Sequence, residues 1–239
     1  MSVKYEIKMM IKLKIVLLAL TFCLFPKLAF SLETDEQKIS DLEKAVVAIC
    51  HSKPDIKNIQ GTGFIVTSTG IVITSDHVIT NNQGCVFNRL FALRPNYPKV
   101  ESFQLTVVKR FRKGLKGRDI AILKIIPESL PADLPYISVG EKAEIGDPIL
   151  VVGFPLVFNK VYSWPLFRSG IVASTRYNIE NSAILVLDLG PVEGYSGSPV
   201  ISLKTHKVVG IFKGHSKDRP QTDFVIATIL EKSDIQSLE

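Results

Sequence analysis

From residue 45 onward the chain is a series of short apolar or alternating runs, punctuated by glycine, proline and small polar residues. Side chains that alternate with period two belong to strands with one buried face. Short unbroken apolar runs belong to strands buried on both faces. The pattern predicts strands at Ala45 to Cys50, Gly61 to Val66, Ile71 to Thr74, Cys85 to Ala92, Phe103 to Val108 and Ile120 to Ile125. Ser68-Thr69-Gly70 turns the second run into the third. After the proline-rich stretch Pro127 to Pro135, further strands are predicted at Tyr136 to Val139, Pro148 to Val152, Ser169 to Ser174, Ala183 to Leu187, Pro199 to Ser202, Val208 to Lys213 and Phe224 to Ala227. No long amphipathic helix interrupts either half. The fold class is therefore all-β, with enough strands in each half to close a barrel. The halves are residues 45–130 and 131–239.

Before residue 45 the pattern differs. Residues 1–31 hold a lysine-rich start, an apolar run of 11 residues from Ile15 to Phe25, and small residues at Ala29 and Ser31. That order is an export signal, with cleavage after Ser31. The apolar run is shorter than a membrane span needs, so no stable membrane insertion is expected once the signal is removed. Residues 32–44 are acidic with apolar Ile39 and Leu42 between, and read as an N-terminal arm or short helix.

Composition changes this picture in one respect. The 239 residues carry a net charge of +6, but five lysines and one glutamate lie in residues 1–31. The remainder has 24 basic and 22 acidic residues, which gives no footing for nucleic acid. At 46% hydrophobic and 22% charged, the chain has the material for a large core. The densest basic run, Lys109 to Arg118, is expected to be a solvated loop ahead of the strand at Ile120.

The candidate chemistry sits at Gly194-Tyr195-Ser196-Gly197-Ser198-Pro199. Flanking glycines let Ser196 occupy a tight turn with its hydroxyl exposed. The same turn can aim the amides of Gly194 and Ser196 at one point, as an oxyanion hole requires. A serine hydroxyl needs a base, and the base needs an orienting group. Of His51, His77, His206 and His215, only His77 follows a strand-like run and opens a polar segment. Asp119 opens the apolar strand Ile120 to Ile125, so its carboxylate requires a partner. The order His77, Asp119, Ser196 excludes the order serine, acid, histidine. A subtilisin order could draw on Asp55 or Asp76, but it leaves Asp119 unexplained, and no helix–strand alternation accompanies it. The order that remains is that of the chymotrypsin fold.

The motifs also resemble a family. Gly61-Thr62-Gly63-Phe64-Ile65-Val66, Ile73-Thr74-Ser75-Asp76-His77-Val78, Asp119-Ile120-Ala121-Ile122-Leu123-Lys124, Gly146-Asp147-Pro148, Gly153-Phe154-Pro155, Ser169-Gly170-Ile171-Val172-Ala173, the Ser196 turn and Val209-Gly210-Ile211 are similar to trypsin-like serine peptidases. The flavour is that of bacterial HtrA (Deg) peptidase domains. Two residues depart from the usual pattern. Tyr195 stands where relatives carry a small polar residue or Asp, and Ser198 where many carry glycine. HtrA proteins carry a C-terminal PDZ domain, and none is expected here.

The resemblance implies two six-stranded antiparallel Greek-key barrels with the site between them. It also implies an exported serine endopeptidase, periplasmic or extracellular, acting on polypeptides through an acyl-enzyme. The alternative is a peptide-binding module on the same fold without turnover. Substrate is expected as an added strand along Phe212, Lys213 and Gly214. Gly190, six residues before Ser196, replaces the acid that selects basic side chains in trypsin. With Val192 and Phe212 it implies a neutral pocket. Export and the neighbouring first and fourth strands make Cys50 and Cys85 a disulfide candidate. No metal site or cofactor is expected, because His206 and His215 lack further ligands at a recognisable spacing.

Overall fold

The computed structural model describes residues 39–96, 99–111, 118–140, 142–157, 160–161, 164–179, 182–190, 193–214 and 224–236. The export-signal call on residues 1–31 lies outside them, as do Val192, His215 and most of the basic run. Residues 39–44 are helical.

Among the described residues, fourteen strands follow in chain order. The first six are β1 Val46–His51, β2 Ile59–Ile65, β3 Ile71–Thr74, β4 Leu90–Asn96, β5 Lys99–Phe111 and β6 Ile120–Ile125. They close a barrel in the order β1-β2-β3-β6-β5-β4, every pair antiparallel. Then come β7 Pro148–Gly153, β8 Leu156–Val157, β9 Lys160–Val161, β10 Leu166–Ile179, β11 Ser182–Asp188, β12 Pro199–Ser202, β13 Lys207–Gly214 and β14 Phe224–Ile229. Here β10-β11-β14-β13-β12-β7 close a second antiparallel barrel, and β8 pairs β9 as a separate hairpin. In each barrel the fourth strand returns beside the first, which is Greek-key order.

The unbroken apolar runs are explained by what lies on each face. In β3, Ile71 and Ile73 face one core cluster while Val72 faces another. In β6 the same alternation places Ile120 and Ile122 with the first cluster and Ala121, Leu123 and Ile125 with the second. The second cluster fills the first barrel. The first cluster is shared, because it also takes Leu150, Val152, Phe154, Ile201, Val208 and Ile211 from the second half. Ile149, Val151, Val172, Leu187, Val209 and Phe212 fill the second barrel. Both faces of the central strands are dry, so apolar residues occupy both. Each fully buried Ile or Leu contributes about 1.5–3 kcal/mol of transfer free energy. The shared cluster therefore holds the barrels together, and the described residues from Asp41 onward form one compact unit.

Three expectations are corrected. Tyr136 to Val139 is not a strand: only Val139 pairs, as a single parallel bridge to Val208. Cys85 to Ala92 starts too early, since β4 begins at Leu90. Asn81 closes a turn there, its Oδ1 accepting from the amides of Gln83 and Cys85, both at 3.0 Å. The basic run is not wholly a loop, because Lys109 to Phe111 belong to β5.

Candidate active site

His77 and Asp119 are brought together by the pairing of β3 with β6. Thr74 lies opposite Ala121, so the residues just after β3 and just before β6 emerge at the same barrel end. His77 sits in a 3-10 turn, Asp76–Ile79, immediately after β3. Its Nδ1 lies 2.6 Å from Asp119 Oδ2, and its backbone N–H donates to Asp119 Oδ1 at 3.0 Å. Asp119 is 4% exposed, while the His77 side chain is 47% exposed and open to a ligand. Burial pushes the Asp119 carboxyl upward. Hydrogen bonding and charge from His77, with the Lys213 charge behind them, outweigh it and hold Asp119 below the usual carboxylate range.

The residues beside this pair are clamped. Asp76, one before His77, receives Arg110 in two hydrogen bonds, at 2.5 and 2.9 Å. Arg118, one before Asp119, grips both carboxylate oxygens of Asp234. Two cations of the basic run thus serve the interior rather than solvent. Asp55 accepts from the Lys57 amide at 3.0 Å and caps a 3-10 turn. Neither Asp55 nor Asp76 orients the His77 ring.

The Ser196 turn reaches the site from the second barrel. Gly194 and Gly197 have φ of 90° and 86°, a region that disfavours a Cβ. At Gly197 a Cβ would also lie 2.1 Å from the Thr62 carbonyl oxygen. The turn docks on the first barrel: Thr62 N–H donates to Ser196 O at 2.8 Å, and Thr62 Oγ1 donates to Gly194 O at 3.0 Å. Thr62 Oγ1 also accepts from the Phe154 amide at 2.9 Å. Gly197 and Ser198 spend their N–H groups on Phe212 O and Tyr195 O, at 2.8 and 2.9 Å. The N–H groups of Gly194 and Ser196 have no acceptor among the described residues. Ser196 Oγ donates to Lys213 O at 3.5 Å, and no hydrogen bond joins it to His77. Tyr195 is a buried plug, its hydroxyl donating to Leu166 O at 3.2 Å. The Ser198 hydroxyl is buried without a partner among the described residues.

The strand expected to receive substrate is partly committed already. Phe212 is 1% exposed, and its backbone serves Ser198 O and Gly197 N–H, both at 2.8 Å. Pairing of β13 with β12 ends at Ile211 opposite Pro199, and a bulge sets Lys213 between Phe212 and Gly214. The main chain left beside Ser196 is that of Lys213 and Gly214.

The disulfide expectation is overturned: Cys50 and Cys85 are free. Cys50 pairs with Phe91 inside the sheet, whereas Cys85 sits in the exposed Asn81 turn before β4 begins. Burial pushes the Cys50 thiol up to about 11. Of the other histidines, His51 stacks on Phe87 at 4.2 Å between centroids, and His206 adopts φ 56° in a turn. No group of three potential metal ligands occurs among the described residues.

Sequence reasoning missed Thr62, Arg110, Arg118, Asp234 and Arg168. Arg168 on β10 donates through Nη1 to Gly190 O at 2.5 Å. Thr62 lay inside a recognised motif, but nothing in a linear pattern assigns it the Ser196 turn, 134 positions on.

Two closed antiparallel barrels, with His77 bonded to Asp119 at the end of the first, define a chymotrypsin-like class. The family model for the trypsin-like peptidase domain matches residues 61–211, and the chain belongs to that family. It is 25% identical over 167 residues to serine protease HTR4 of Rattus norvegicus, covering 66% of this chain and 30% of that one. It is 28% identical over 156 residues to the "Probable periplasmic serine endoprotease DegP-like" of Hahella chejuensis, covering 63% and 29%. The chain thus spans about a third of the length of these curated relatives. Among solved structures, the MamO protease domain from Magnetospirillum magneticum superposes with a TM-score of 0.65 at 19% identity, covering 83% of this chain and 98% of that one. The serine endoprotease from Yersinia pestis gives 0.61 at 20% identity, covering 84% and 63%.

Proposed function

We propose that the chain is an exported serine endopeptidase that cuts polypeptides through an acyl-enzyme. The observation that carries this reading is the double hydrogen bond from His77 to Asp119, with the Ser196 turn docked on the same barrel through Thr62. Ser196 Oγ attacks the scissile carbonyl and His77 Nε2 takes its proton, then returns it to the leaving amine. This requires the hydroxyl to leave Lys213 O for the imidazole. Asp119 fixes the ring tautomer and stabilises the imidazolium. The free N–H groups of Gly194 and Ser196 receive the oxyanion. Substrate backbone pairs along Lys213 and Gly214. The leader-like residues 1–31 and the periplasmic relative support export.

A fluorophosphonate probe tests the reading. It should label the protein at Ser196 and leave the Ser196→Ala variant unlabelled, and casein or a peptide library should be cut by the first alone. An unlabelled wild-type protein that still binds peptide would be a binding module instead.

A further inference from the structure

Arg168 brings to Gly190 a cation that the expected neutral pocket does not include. Arg168 lies on β10, where it pairs with Val151 of β7, and its guanidinium reaches across to the Gly190 carbonyl. Gly190 is two residues past the end of β11, on the segment leading to the Ser196 turn. Among the described residues other than its chain neighbours, only Arg168 Nη2, at 3.7 Å, would lie within 4 Å of a Cβ at Gly190. The guanidinium therefore stands where a side chain at position 190 would project. It is also tied to Tyr195, the residue before the nucleophile. Tyr195 donates to the carbonyl of Leu166, two residues before Arg168, and the Arg168 charge reaches the Tyr195 hydroxyl.

Arg168 has no carboxylate partner among the described residues. Arg94, Arg110 and Arg118, by contrast, each hold an acid. A guanidinium carries five N–H donors, and one bond to Gly190 leaves several to give. Such a fork matches a carboxylate in both charge and shape.

We infer that Arg168 makes the space beside Gly190 a recognition site for an acidic side chain, aspartate or glutamate, on the residue whose carbonyl is cut. This rests on the peptidase reading of Ser196 and replaces the neutral pocket with a charge-selective one. Glycine at 190 leaves room for the ligand, and Arg168 supplies from a neighbouring strand the charge that position 190 lacks.

The test uses the full chain and peptides identical except for Glu, Gln, Leu or Lys at the cut position. The wild-type protein should cut the Glu peptide at least about tenfold better, in kcat/KM, than the isosteric Gln peptide. Arg168→Gln should bring that ratio close to one, Arg168→Lys should keep part of it, and Arg168→Glu should favour Lys. Added salt should erode the wild-type ratio. A wild-type ratio near one overturns the inference. So does an Arg168→Gln protein that loses activity on all four peptides alike, because that marks a brace for the Gly190 carbonyl. Fluorescence anisotropy on Ser196→Ala gives a readout without turnover. Glu peptide should bind more tightly than Gln peptide, and Arg168→Gln should abolish the difference. Selective binding in a protein that never labels at Ser196 would sink the catalytic reading and leave the acidic site standing. Equal binding would sink the acidic site alone.

Discussion

Asp119 holds residue 77 by ring and backbone at once, with Oδ2 2.6 Å from Nδ1 and Oδ1 accepting the amide at 3.0 Å. A carboxylate with both oxygens engaged by one residue sets that residue's tautomer and its ring orientation together. Replacing it with asparagine keeps the shape but puts an amide donor against the ring. We expect Asp119→Asn to lower kcat by on the order of 10³–10⁴ while leaving the fold intact. A stopped assay on a cleaved peptide, alongside circular dichroism, checks this. A loss under tenfold would remove Asp119 from the triad.

The same contact makes stability depend on pH. Asp119 is held below its ordinary value in the folded chain, so the unfolded chain binds the proton more readily. Its contribution is complete above the ordinary carboxylate range, near pH 4, and is lost as pH falls through the lower folded value. Urea melts from pH 6 down to pH 3 should show a falling midpoint below about pH 4, with a shallower fall in Asp119→Asn. Parallel curves for the two proteins would contradict the linkage.

Gly197 cannot carry a side chain. With φ at 86° and a Cβ position 2.1 Å from the Thr62 carbonyl, Gly197→Ala must move the turn off the first barrel. The expected cost is about 2–4 kcal/mol, together with loss of probe labelling at Ser196. Denaturant titration and labelling on one sample decide it, and a stable, fully labelled variant would show the turn to be otherwise placed.

Asp76 and Arg110 form a pair in which neither side chain exceeds 11% exposure. Removing one partner strands the other, so Arg110→Ala should cost about 3–5 kcal/mol. Asp76→Ala with Arg110→Ala should cost less than the sum of the two singles, with a coupling of about 1–3 kcal/mol. A double-mutant cycle by urea denaturation measures it. Additive singles would mean the pair is solvated and inert.

The cysteines should behave as two different thiols. Exposed Cys85 should react with Ellman's reagent in the native protein. Cys50, buried and with its thiol pushed up to about 11, should react only after unfolding. A protein with no reactive thiol until a reductant is added would restore the disulfide.

Much of the architecture was legible because burial on two faces leaves a plain mark. Ile71 to Thr74 and Ile120 to Ile125 are apolar throughout since each serves two cores, and such runs stand out in any pattern reading. Tyr136 to Val139 bears the same mark without being a strand, because Ile137 and Val139 are buried by the shared core while the backbone makes only one bridge. Apolar content reports burial, and hydrogen-bond partners are a separate matter. His77, Asp119 and Ser196 were nominated from turn glycines and strand ends, which are local signals. Arg168, Arg110 and Arg118 were invisible, since a charged residue reads as solvated until its partner is known.

Taken alone, the amino-acid order determined the class of fold, the two halves, and the three residues on which the chemistry is proposed to rest. Local conformational preference and side-chain periodicity are written along the chain, and those three residues stand where such preferences break. The tertiary structure decided which cation meets which acid, that Cys50 and Cys85 stay apart, and that Arg168 stands beside Gly190. These depend on strand register and barrel closure, which join residues far apart in sequence, and a contact across that distance has no period to read.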